Sequence, residues 1–288
     1  IWGFSSGVFL ATLLALILNL TDKTLLAGLV SLNDYGYYTL AASLTAVLFM
    51  ITNPIVQAVY PHLVEHITKR ETERMLVNYH KAARFLTLVT AAPAILMALN
   101  SWEIIFIWTG NTEISDSTSK ILSVLAIGGL LNCILYLPNH LQLAHGWVKQ
   151  VIKINLVLIV VYVPAIFFVV PAYGLMGAAF VWLALNFARF LVVPNIMYSQ
   201  LYPAHQKIWY LQDVLVPIFV ILIPLLLMLF IRPIFSQTVL DLVVYFLMAT
   251  MLIMLTVLGC YPDYRSAILN RLNWMISYSS NKGSVNDK

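Results

Sequence analysis

The chain has 288 residues, of which 61% are hydrophobic and 10% charged, and its mean hydropathy is +0.88. As a soluble domain it would expose far too much apolar surface, and many of its apolar runs are long enough to cross a bilayer, so it reads as an all-α polytopic membrane protein. The net charge of +4 follows from topology rather than from a nucleic-acid partner, because the basic residues gather in alternate loops.

The apolar pattern predicts eight spans, at about 4–31, 35–61, 82–101, 120–142, 151–171, 173–198, 213–232 and 236–260. Their continuous apolarity favours helices over barrel strands, which are shorter and alternate. Residues 1–260 are expected to form one transmembrane lobe, and 261–288 a cytoplasmic tail, partly disordered because of its Ser, Asn, Lys and Gly content. The chain opens at Ile1, inside an apolar run, with no basic segment and cleavage site ahead of it, so no signal peptide is expected.

The first span is broken near its end by Asn19, Asp22 and Lys23. Spacings of three and four residues put these polar groups on one broad helix face. Charges inside a span are costly unless they meet water or protein, so this patch either lines an internal cavity or marks the outer end of a shorter span at headgroup level. The second span begins with Tyr35, Tyr37 and Tyr38 at the interface and meets Asn53-Pro54, where a missing backbone donor invites a kink, with Gln57 one turn further on.

Glu65 to Arg84 reads as an amphipathic connector at the membrane surface, rich in Lys and Arg, whose basic groups either face solvent or meet a substrate phosphate. Trp102 to Lys120 reads as an external loop. In the fourth span Gly128 and Gly129 permit close helix packing, while Asn132, Asn139, His140 and Gln142 either line a passage or cap the exit. His140 and His145, five apart, lack metal-site geometry, and Cys133 and Cys260 form neither a C-x-x-C motif nor an evident disulfide.

The sixth span carries Asn186 and Arg189 three residues apart on one face. The guanidinium stays charged and suits a phosphate, or else it snorkels to the surface. Tyr202 to Asp213 is expected to be a cytoplasmic connector. Twelve of the sixteen Lys and Arg fall in the connections around 62–84, 145–153 and 199–213 and in the tail, which predicts a cytosolic start and finish. No catalytic constellation stands out, so an enzyme is not expected.

Leu20-Thr21-Asp22-Lys23-Thr24 through Gly28, then Asp34 through Ala41, resemble the opening of the second half of bacterial polysaccharide flippases. Asn53-Pro54-Ile55 through Tyr60-Pro61, Trp108-Thr109-Gly110 and Pro138 through Gly146 extend the likeness over about half of the chain. The chain thus resembles the C-terminal helical lobe of an O-antigen or exopolysaccharide repeat-unit flippase, a MATE-like two-lobe transporter of the multidrug/oligosaccharidyl-lipid/polysaccharide superfamily. The resemblance implies that undecaprenyl-pyrophosphate-linked oligosaccharide moves from the cytosolic to the periplasmic leaflet of the bacterial inner membrane by alternating access.

It implies, too, a missing N-terminal lobe, and a polysaccharide polymerase and glycosyltransferases as partners. No cofactor is expected, while coupling to a proton or sodium ion is compatible with the pattern. Substrate-binding positions are expected at Asn19, Asp22, Lys23, Gln57, Asn186 and Arg189. A peptidoglycan-precursor flippase, a cation-coupled drug exporter and a non-transporting scaffold are the alternative readings.

Overall fold

The computed structural model describes residues 2–235, 238–263 and 265–266, which are helical almost throughout, with no strand among them. Helix α1 spans Trp2–Leu29, α2 Leu32–Thr68, α3 Thr72–Leu99, α4 Ser101–Thr109, α5 Thr112–Ile134, α6 Tyr136–Ala144 and α7 Val148–Leu201. After a 3₁₀ turn at Pro203–His205 come α8 (Gln206–Ile208), a π-helix at Trp209–Leu215, α9 (Val216–Ile231) and α10 (Val239–Cys260). Among the described residues, seven helical stretches are long and apolar enough to cross a membrane.

The chain forms two compact units, residues 1–218 and 219–288. In the first, α5 is the central element and packs on α2, α3, α4 and α7. Its most apolar window is 72% buried, more than any other span, which marks it as the axis of the bundle. Gly128 and Gly129 allow that position: a Cβ on Gly129 would lie 2.7 Å from Thr45 Cγ2, and one on Gly128 would lie 2.8 Å from Trp182 Cδ1. The core around α5 includes Leu18, Tyr38, Leu122, Tyr162 and Trp182. Phe9, Met50, Val160 and Phe168 stand exposed on the outer faces, as a surface in contact with lipid tails requires. In the second unit, Leu242, Tyr245, Ala249 and Ile253 form the buried stripe of α10, whose start is closed by a capping box between Thr238 and Asp241. Most of the expected tail, from 267 onward, lies outside the described residues.

The 54-residue α7 is too long to cross a bilayer once. Gly174 (φ 59°, ψ −146°) breaks it, in a backbone region that is essentially reserved for glycine. The rings of Tyr162 and Trp182 lie 6.4 Å apart across this break, whereas in a straight helix they would be about 30 Å apart. The two arms therefore run back along each other, as the separate spans 151–171 and 173–198 require.

One connector differs from expectation. Glu65 to Arg84 is not a surface helix: α2 continues to Thr68, and α3 starts at Thr72 after a tight turn in which Arg70 takes φ 58°. Helices outlast their apolar runs here because Leu63, Met75, Leu76 and Tyr79 are still buried, while Glu65–Lys69 and Glu71–Arg74 pair on the exposed side. The connector Tyr202 to Asp213 is itself largely helical and packed inward, with Trp209 and Asp213 fully buried in it. Trp102 to Lys120 holds α4 and the start of α5, joined by a 2.7 Å bond from Trp102 Nε1 to Asp116.

Candidate functional site

Two cavities beside α1 within the first unit share Tyr136, at the start of α6, in their lining. The larger of the two has a volume of about 320 Å³, and its polar lining includes Asn53, Asn132, Asn139, His140, Asn155 and Arg189. The smaller, about 210 Å³, is mostly apolar, with Asp22 and Lys23 as its charged groups. Helix periodicity explains the grouping: Tyr136 follows Asn132 by four residues, and Asn139 and His140 follow Tyr136 by three and four, so one stripe along α5 and α6 faces inward. The hairpin at Gly174 brings Asn155 and Arg189, one on each arm of α7, to the same space.

Arg189 is 8% exposed and takes part in no ion pair among the described residues. Its Nη1 reaches Asn186 Oδ1 only at 3.5 Å, and its Nε has no hydrogen-bond partner. Asn186 is fully buried and is itself held by a 2.9 Å bond to the Trp182 carbonyl, which orients its oxygen toward the guanidinium. An unpaired buried cation in a membrane helix is costly, and an anionic ligand is the natural way to offset that cost. The amides beside it, together with the His140 ring whose Nδ1 is engaged by the Tyr136 carbonyl at 2.7 Å, donate to and accept from neutral hydroxyl groups.

Asp22 is 5% exposed and is bound to Tyr38 Oη at 2.7 Å, while its Oδ1 has no partner. Its carboxylate would repel an anion, so it is not equivalent to Arg189. Lys23 is half-buried at the same cavity. Gln57 is exposed on α2 and lines neither cavity. Asn19 belongs to α1, but its side chain lies outside the described residues. Tyr136 and Asn155 were missed in the sequence, although an asparagine inside the apolar run 151–171 was a signal for the second.

With this geometry in place, the match to known families is decisive. Residues 8–168 match the model of the MatE family, more than half of the chain. The chain belongs to the MatE family. It is therefore a multi-pass membrane protein of a transporter family. A Shigella flexneri protein named "Putative O-antigen transporter" is 28% identical over 161 residues, which are 56% of this chain but only 38% of that relative. No solved structure matches the chain. The MatE match takes in Asp22 and every polar residue of the larger cavity except Arg189, so the case for Arg189 rests on its burial and surroundings alone.

Proposed function

We propose that the larger cavity holds the headgroup of a lipid-linked oligosaccharide, and that the protein flips this lipid across the bacterial inner membrane by alternating access. The observation that carries the reading is Arg189, a buried cation without a carboxylate partner, set among neutral amides. A guanidinium binds phosphate oxygens and amides bind sugar hydroxyls, so the lining matches a sugar pyrophosphate better than a hydrophobic drug. The name of the Shigella flexneri relative supports the same class of cargo.

Lys23 lies beyond Tyr136 and provides a second positive charge for the headgroup on its way. Asp22 belongs to the return half of the cycle, binding the proton or sodium ion that couples it. A companion helical lobe closes the cavity from the other side, and a polymerase and glycosyltransferases handle the cargo before and after flipping.

Binding is the first test. The chain in nanodiscs is titrated with a short-chain polyprenyl pyrophosphate carrying one sugar, and with the same prenyl alcohol lacking phosphate. Saturable binding of the pyrophosphate that weakens at least about tenfold in Arg189→Gln supports the reading, in line with the loss of one charge-assisted contact. Equal binding of both compounds, or no effect of the substitution, overturns it.

A further inference from the structure

Away from both cavities, four side chains from three parts of the sequence meet beside the first half of α3. Asp213, fully buried in the π-helix, accepts from Arg84 Nη2 at 3.1 Å and pairs with His80 Nδ1. His80 Nε2 lies 2.9 Å from Nδ1 of His205, the last residue of the 3₁₀ turn, and the two rings stack at 5.1 Å. Arg84 and His80 share a face of α3, one turn apart. The other titratable groups around the pair are Glu73, Tyr79 and Lys81 on α3, Tyr198 and Tyr202 at the end of α7, and Lys207 and Tyr210 after the turn.

We propose that the His80–His205 pair is a proton-binding site that holds at most one extra proton while closed, and that a second proton releases the turn Pro203–His205 from α3. The argument is a count of hydrogens. An ionised carboxylate only accepts, so His80 Nδ1 carries hydrogen. The line between His80 Nε2 and His205 Nδ1 has room for one hydrogen. If it sits on His205, His80 is neutral, and His205 is neutral or charged. If it sits on His80, His80 is charged and His205 is neutral. With both imidazoles charged, two N–H groups face each other, and the bond becomes a repulsion between like charges.

His80 is held by Asp213, which Arg84 also holds, so His80 is the fixed member of the pair and His205 the member that leaves. The turn follows directly on the arm of α7 that carries Arg189, and its closure ties the end of that arm to α3. The inference is independent of the cargo.

The test is hydrogen exchange of the full chain in nanodiscs at about pH 7.5 and about pH 5.5, on either side of the ordinary imidazole range, with intrinsic rates corrected. Amides of 204–208 are expected to lose protection about tenfold at the lower pH, the loss of one hydrogen bond of ordinary strength. His205→Gln, whose amide bonds His80 Nε2 but takes up no proton, is expected to show equal protection at both values. Unchanged protection in the wild-type chain, or a pH response that survives in His205→Gln, overturns the proposal. A reading that needs no variant is solid-state NMR of the chain labelled with ¹⁵N-histidine. A hydrogen bond between two imidazole nitrogens should be visible at the higher pH and gone at the lower, and its persistence at the lower pH also overturns the proposal.

Discussion

Tyr38 donates its hydroxyl hydrogen to Asp22 Oδ2 at 2.7 Å, tying α2 to α1 between residues sixteen apart in sequence. Tyr38 is fully buried and Asp22 nearly so. The bond therefore works in a medium of low polarity, where a lost partner is expensive.

Tyr38→Phe removes the donor and leaves the carboxylate with no side-chain partner. The expected cost is about 1–3 kcal/mol, the desolvation penalty of a buried polar group. It is measured as a lower thermal midpoint of the detergent-solubilised chain. Asp22→Asn, whose amide oxygen still accepts from Tyr38, should cost less, and a greater loss in Asp22→Asn than in Tyr38→Phe would show that the bond is not what holds the pair.

Gly129→Leu places a side chain where even a Cβ meets Thr45 Cγ2 at 2.7 Å, and α5 must move away from α2. Overpacking of this kind costs about 1–3 kcal/mol or more. Expression and monodispersity in size-exclusion chromatography should fall. Gly28→Leu, where a Cβ has open space, is the matched control and should behave as wild type.

Gly174→Ala tests strain without crowding, because nothing lies within 4 Å of the added Cβ. A residue with a side chain at this backbone geometry costs about 1–3 kcal/mol. A lower thermal midpoint is expected, and an unchanged one would mean that the arms of α7 are joined in some other way.

His145, in the turn between α6 and α7, is bonded through Nε2 to the Tyr202 hydroxyl at 2.9 Å, and its burial lowers the pKa below that of a free imidazole. The folded state thus resists protonation more than the unfolded chain does. The contribution to stability is complete above the ordinary value of about 6.5 and is lost as the pH falls through the lower folded value. Thermal midpoints recorded across this window should drop less in His145→Asn than in the wild-type chain.

Arg189 and Asp22 were legible in the sequence because a charge inside an apolar run is conspicuous whatever the fold. Their surroundings were not. Whether Asn132 and His140 cap a helix or line a cavity depends on Arg189, more than forty residues later, being folded back beside them. Gln57 seemed equivalent to Asn186 as a polar residue in a span, yet one is exposed and the other fully buried. Asp213 was hidden for the opposite reason. It stands where a connector gives way to an apolar run, which reads as the edge of a span, while its partners His80 and Arg84 come from a helix 129 or more positions away. Helix type and number follow from local pattern, but the pairing of polar groups depends on tertiary placement.

The hairpin at Gly174 bears on how the protein enters its membrane in the first place. During synthesis the arm carrying Asn155 emerges before the arm carrying Arg189. A helix with a bare arginine near its middle is a poor candidate for insertion by itself. Paired with an arm that is already apolar enough to insert, the second arm can leave the insertion machinery as half of a two-helix unit, with its guanidinium turned toward the partner rather than toward lipid. One glycine thereby lets the membrane accept the charge.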